Sequence, residues 1–198
     1  DMTGTEGLWG DPVTAAYRIK DQIRDILGFT VNIGISENKL LAKMASDFQK
    51  PDRVHTLWRN EIESKMWPLP VSDLFFVGRA TAKKLFSLGI HTIGELAHAD
   101  PHLLKAHLKK HGEVIWAFSR GMDVSVVQSE APANKGYGNS TTIAFDVTDA
   151  STAKLVLLAL AETVGTRLRA AKVRAEVIAV GIKTYDLSYA SHQMTLQN

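Results

Sequence analysis

The residues best placed to do chemistry lie in the run Val77-Gly78-Arg79-Ala80-Thr81, set between Leu74-Phe75-Phe76 and Lys83-Lys84-Leu85. A glycine turn that opens a helix reads as a helix-hairpin-helix. The N–H groups of such a turn and helix start converge on one phosphate and grip a nucleic-acid backbone without reading its bases. Cations in a first helical turn oppose the macrodipole by about 0.3 to 1 kcal/mol, so Arg79, Lys83 and Lys84 crowded there make best sense with an anion in place. On spacing alone, the alternative is a surface turn with solvated lysines. The usual second glycine of the motif is Ala80 here, which limits how closely another backbone can approach that position.

A second set is Lys39, Lys43 and Lys50, which flank a strand-to-helix junction where helix-start amides and a lysine could hold a triphosphate. A solvated helix face also accounts for them. His107 and His111 stand at helical i, i+4 spacing, but no glutamate of a zinc-protease helix accompanies them, and Pro101 separates His98 from His102. The histidines therefore do not read as a metal site. Gly136-Tyr137-Gly138 lacks a third glycine and a preceding strand, and reads as a flexible link rather than a dinucleotide site.

These groups need elements to position them. Asp11-Pro12 is a cap and first-turn pair, and Ala16, Ile19, Ile23 and Ile26 recur at helical steps until Gly28. From Phe29 to Ile35 the pattern turns to period two, which predicts a half-buried strand. Ser36 can cap the next helix, whose core stripe is Leu40, Leu41, Met44, Ala45 and Phe48, with Lys39 and Lys43 on the other face. Trp67-Pro68-Leu69-Pro70 reads as a stiff linker. Thr92 with Glu95 forms a capping box, Asp100-Pro101 starts another helix, and a helix from Glu113 ends at Gly121. Residues 122 to 136 read as a tether. Beyond it the pattern predicts a strand over Tyr137 to Phe145, a long helix capped by Asp149 and running to about Lys172, a strand through Ile178, Val180 and Ile182, and a strand over Tyr189 to Leu196.

Composition narrows the function classes. The chain has 198 residues, 45% hydrophobic and 22% charged, which argues against wholesale disorder. No stretch reaches the roughly 18 to 20 apolar residues of a membrane span, and the start lacks a secretory pattern. With no cysteine there is no disulfide, thiolate zinc site or cysteine nucleophile, which fits a reducing, cytoplasmic location. Net charge is +2 with no basic tail, so a nucleic-acid site must be built locally.

Several runs together carry a resemblance. Ser36-Glu37-Asn38-Lys39-Leu40-Leu41-Ala42-Lys43-Met44-Ala45-Ser46 with Lys50-Pro51-Asp52 is the most specific. Trp67-Pro68-Leu69-Pro70-Val71, Phe76 to Leu85 and Leu88 to Leu96 add to it, as do Gly138-Asn139-Ser140-Thr141-Thr142, the Thr148-Asp149 helix start and the opening Asp1 to Glu6. Over essentially the whole chain these resemble the Y-family translesion DNA polymerases, the ImpB/MucB/SamB family with its UmuC-like members. The resemblance implies that Lys39 contacts the triphosphate of an incoming deoxynucleotide. It implies that Gly78, Arg79, Ala80, Thr81, Lys83 and Lys84 grip primer-template DNA, with Ser140 and Thr141 at the start of a further DNA-binding domain. Chemistry in the family uses magnesium ions held by three carboxylates. By the alignment those carboxylates lie upstream of Asp1, where a Ser-x-Asp-Glu motif belongs, so no catalytic or metal-binding residue is expected within these 198 positions and the chain alone is expected to be inactive. A sliding-clamp contact is expected in a missing C-terminal segment, and no membrane partner is expected.

The fold expected is a mix of α/β and all-α parts. Residues 1–66 are the C-terminal part of a palm (α+β), 67–121 an all-helical thumb with the hairpin, 122–136 a linker, and 137–198 an incomplete β-α-β-β little finger. Two rival readings remain: a non-enzymatic helix-hairpin-helix DNA-binding protein, which needs no triphosphate site at Lys39, and a small-molecule phosphotransferase using Lys39 and Lys43, which leaves the hairpin lysines unexplained.

Overall fold

A four-residue turn, α1 (Glu6–Trp9), leads to Asp11, whose carboxylate accepts from the Val13 and Thr14 amides and opens α2 (Pro12–Leu27). Gly28, at φ 72°, closes that helix. The computed structural model describes residues 1–128, 130 and 132–196, which form two compact units, Asp1–Ser129 and Glu130–Asn198.

In the first unit a short parallel pair, β1 (Ile33–Ile35) and β2 (Val54–Thr56), supports α3 (Lys39–Asp47). The strand expected over 29–35 forms only at its last three residues, because backbone pairing is available only where β2 runs alongside. Phe29 stays 66% exposed. Ser36 is not the cap of α3: its hydroxyl donates to the Leu57 carbonyl at 2.6 Å, and Asn38 caps the helix by accepting from the Leu41 amide at 2.8 Å. The helix lies against β1 so closely that a Cβ on Gly34 would meet the Ala42 carbonyl oxygen at 1.9 Å. Lys20 of α2, only 4% exposed, is neutralised by Asp21 at 2.8 Å and Asp52 at 3.0 Å, tying α2 to the turn after α3 rather than facing solvent.

Short helical turns over Arg59–Glu61, Ile62–Met66 and Val71–Asp73 then lead into α4 (Arg79–Ser87), α5 (Ile93–His98), α6 (Pro101–Leu108) and α7 (Lys110–Ser119). The capping box at Thr92 and Glu95 and the Asp100 cap are both formed. The last helix begins at Lys110, three residues before the expected Glu113. Trp67 to Pro70 does not hang free as a linker. Trp67 donates its indole N–H to the Ser119 carbonyl at 3.0 Å, and the Ile93 and Gly94 amides donate to the carbonyls of Leu69 and Trp67. One apolar cluster runs from Leu40, Leu41 and Met44 through Leu57, Ile62 and Met66 to Leu85, Ile93, Leu104 and Ile115. Each fully buried leucine or isoleucine of that cluster contributes about 1.5 to 3 kcal/mol of burial, and together they fix the helix starts that matter below.

In the second unit Asp149 accepts from the Thr152 amide at 2.9 Å and starts α8 (Ala150–Ala171), which half-buries Val156, Leu157, Leu160, Val164 and Leu168 on one stripe. β3 (Val177–Lys183) pairs antiparallel with β4 (Tyr189–Thr195). The mixed fold class holds, but the strand expected over Tyr137 to Phe145 is not formed, so the described residues read α-β-β rather than β-α-β-β. A strand needs a neighbour for its backbone groups; here the Gly138 carbonyl accepts instead from the Arg167 guanidinium at 2.9 Å, and that guanidinium lies over the Tyr137 ring at 5.5 Å. No helix among the described residues is long and apolar enough to cross a membrane.

Candidate nucleic-acid interface

Five of the helix starts in this chain are closed by side chains. Asp11, Asn38, Thr92, Asp100 and Asp149 accept from the first-turn amides of α2, α3, α5, α6 and α8. α4 differs. Its N-cap is Gly78, in extended conformation with no side chain to offer, and the first bond closed is from the Ala82 amide to the Gly78 carbonyl. The amides of Arg79, Ala80 and Thr81 therefore have no acceptor among the described residues. Orphan donors at a helix start, with the positive end of the macrodipole behind them, are suited to an anion.

The side chains around this start are cationic. Arg79, Lys83 and Lys84 are exposed, and none has an acidic partner among the described residues. The helix turn distributes them over two concavities. Gly78, Arg79 and Lys83 line one with Ser72, Val77 and Phe86; Ala80, Thr81 and Lys84 line the other with His107, Lys109 and His111. α7 also starts there without a side-chain cap, from Lys109 at φ 56°. Two uncapped helix starts thus share one basic neighbourhood. Thr81 Oγ1 lies 3.4 Å from His111 Nε2.

The spacing of His107, Lys109 and His111 does not mark them for this site. The i, i+4 reading of His107 and His111 as one helical face fails, because the chain breaks at Lys109 and puts His107 on α6 and His111 on α7. Sequence separation of about thirty residues from Thr81 hides the meeting, which only the α6–α7 hairpin produces. The tight turn also differs from expectation. The left-handed backbone that glycine would favour falls on Phe76, at φ 78°, and Ala80 is an ordinary residue of the first turn of α4.

Lys39 is the first residue of α3 and is exposed, away from the core stripe. Its ammonium donates to the Val126 carbonyl at 2.8 Å, while Asn38 donates to the Gly121 carbonyl at 3.0 Å. Asp123 sits at the same helix start. Burial works to raise the Asp123 carboxyl, but hydrogen bonds from Ser125 and the Leu40 amide, with the Lys39 charge, outweigh it and hold the group below the usual carboxylate range. Lys43 and Lys50 do not join Lys39: both pair with Asp47, the latter at 2.7 Å, and those pairs hold Asp47 low. A phosphotransferase reading that needs Lys39 and Lys43 together loses its second cation. Ser140 and Thr141 are exposed and outside any helix or strand. Among the described residues no three of Asp, Glu and His converge as a metal site requires.

Comparison with known proteins bears on the same segments. A model of the impB/mucB/samB family matches residues 1–47, one of the IMS family HHH motif matches 59–90, and one of the impB/mucB/samB family C-terminal domain matches 134–198. The chain is 46% identical over 198 residues to the DNA polymerase IV of Clostridium acetobutylicum, covering 100% of this chain and 50% of that one. It is 38% identical over 199 residues to DNA polymerase IV 1 of Bacillus subtilis, covering 100% of this chain and 48% of that one. The chain thus spans about half the length of the curated relatives it matches. In fold it is similar to a chimeric Y-family DNA polymerase, with a TM-score of 0.79 at 20% identity over 100% of this chain and 56% of the other.

Proposed function

The chain belongs to the impB/mucB/samB family, the Y-family DNA polymerases, and from that premise we propose that it is the DNA-gripping part of a DNA-directed DNA polymerase that extends primers past damaged template bases during repair. The observation that carries the reading is the uncapped start of α4, with three free amides and three cations lacking acidic partners among the described residues. Such a start holds a backbone phosphate without sequence preference, as a polymerase working on any template requires. Lys39 contacts the triphosphate of the deoxynucleotide, exchanging its bond to the Val126 carbonyl for a phosphate oxygen. Ser140 and Thr141 meet the DNA at the start of the second unit.

The residues present do not fit the magnesium centre of the chemistry, since no three of Asp, Glu and His converge among the described residues. We place the carboxylates that hold magnesium upstream of Asp1, and a sliding-clamp contact beyond Asn198. A cytoplasmic location goes with this role.

The test is duplex binding by the 198-residue chain at two salt concentrations. Replacing Lys83 and Lys84 together by glutamate weakens binding and lowers the salt slope by about 1 to 2, with no change in sequence preference. Affinity unchanged at both salt concentrations would overturn the phosphate grip.

A further inference from the structure

Phe76 stands two residues before Gly78, the uncapped start of α4, and its backbone has φ 78°, which glycine adopts freely and a bulky residue adopts only under strain. Folding does not recover that strain by burying the ring. Phe76 is 58% exposed, and its neighbour Phe75 is 43% exposed. The ring leans on Phe75, Phe118 and His111, at centroid distances of 5.5, 6.0 and 5.9 Å, and turns the rest of its surface to solvent. Glycine at this position would remove both the strain and the exposed apolar surface. Strain retained at an exposed position beside a binding site points to a contact made outside the folded chain.

We propose that Phe76, backed by Phe75, is a DNA contact of the hairpin: its ring packs on the apolar deoxyribose face next to the phosphate that the α4 amides hold. The inference rests on the phosphate grip proposed above and adds to it the part of the strand that charge cannot recognise. Charge complementarity selects the occupant, because the elements next to the aromatic pair carry exposed cations: Arg79, Lys83 and Lys84 on α4, which starts three residues after Phe76, and Lys109 and Lys110 beside His111, on which the Phe76 ring leans. A nucleic-acid strand alternates anionic phosphate with sugar, so a ring set beside a phosphate-holding turn meets sugar. The C2′ methylene of deoxyribose is apolar, whereas ribose carries a hydroxyl there that the ring would strip of water. Phe76 accordingly favours a DNA strand over an RNA strand.

The experiment measures binding of the 198-residue chain to a DNA duplex and to an RNA duplex of the same sequence, at two salt concentrations, beside thermal melting. Phe76→Gly is expected to bind DNA about tenfold more weakly, with an unchanged salt slope, a smaller DNA-over-RNA preference and a melting temperature no lower than the parent. Phe76→Ala, which keeps the strained backbone and loses the ring, shows the same loss of DNA affinity. If Phe76→Gly binds DNA as the parent does while the Lys83 and Lys84 double substitution still weakens binding, the sugar contact is overturned and the phosphate grip stands. If neither change weakens binding, both fall. An equal loss on RNA, or a glycine variant that melts below the parent, also overturns the proposal, since the ring then serves general adhesion or the fold.

Discussion

Lys39 shows how little of a lysine's role its spacing reveals. The sequence places it on the polar face of an amphipathic helix with Lys43 and Lys50 nearby, and nothing in that pattern separates the three. The structure separates them by their partners: Asp47 takes Lys43 and Lys50, while Lys39 makes its hydrogen bond to a backbone carbonyl and has the Asp123 charge nearby. A single hydrogen bond to a carbonyl is readily exchanged for a charge-assisted bond to phosphate. Because the core stripe of α3 lies on Leu40, Leu41, Met44 and Ala45, folding does not depend on this side chain. In the whole polymerase, Lys39→Ala is expected to raise the nucleotide KM while stability stays within about 0.5 kcal/mol of the parent, as for surface substitutions. Steady-state kinetics beside a denaturant melt checks it, and a large stability loss with a normal KM would make Lys39 structural. Phe76 was equally illegible. Its type suggests core, and only the backbone angle and the exposed ring show otherwise.

At the scale of elements, the structure bears out most of the helix starts that the sequence states locally, Ser36 being the exception because Asn38, two residues on, takes the cap of α3. The Asp11, Thr92, Asp100 and Asp149 helix starts rest on one side chain bonding an amide two or three residues on, so type and spacing suffice to find them. Strands fail that condition, because a strand exists through its neighbour. β2 has three half-buried residues and no alternation long enough to detect, while Tyr137 to Phe145 has strand-like residues and no neighbour among those described. The same dependence makes Gly34 critical to the junction that presents Lys39. A methyl group there would meet the Ala42 oxygen at 1.9 Å and the Ser46 nitrogen at 2.5 Å, both backbone atoms of α3, so relief requires moving the helix. Gly34→Ala is expected to destabilise the chain by about 3 kcal/mol or more. Equilibrium urea unfolding checks it; a cost below 1 kcal/mol would mean that α3 shifts freely on the strand.

For the whole molecule, a net charge of +2 is too small to pull the chain onto DNA by itself, so affinity has to be concentrated where amides and cations coincide. That concentration is what we propose grips a strand, yet gripping is not catalysis. In-line attack on a triphosphate needs two metals held by converging carboxylates. The acidic residues described here are dispersed instead, many of them already in use: Asp21 and Asp52 on Lys20, Asp47 on Lys43 and Lys50, and Asp11, Asp100 and Asp149 as helix caps. Committing any of them to magnesium would cost an ion pair or a helix start. The 198-residue chain is therefore expected to bind primer-template DNA and to show no primer extension with magnesium or manganese, whereas the whole polymerase extends. Gel-shift and extension assays on one preparation check both halves. Extension by the pure chain, lost on replacing any one carboxylate within it, would refute the placement of the catalytic carboxylates upstream of Asp1.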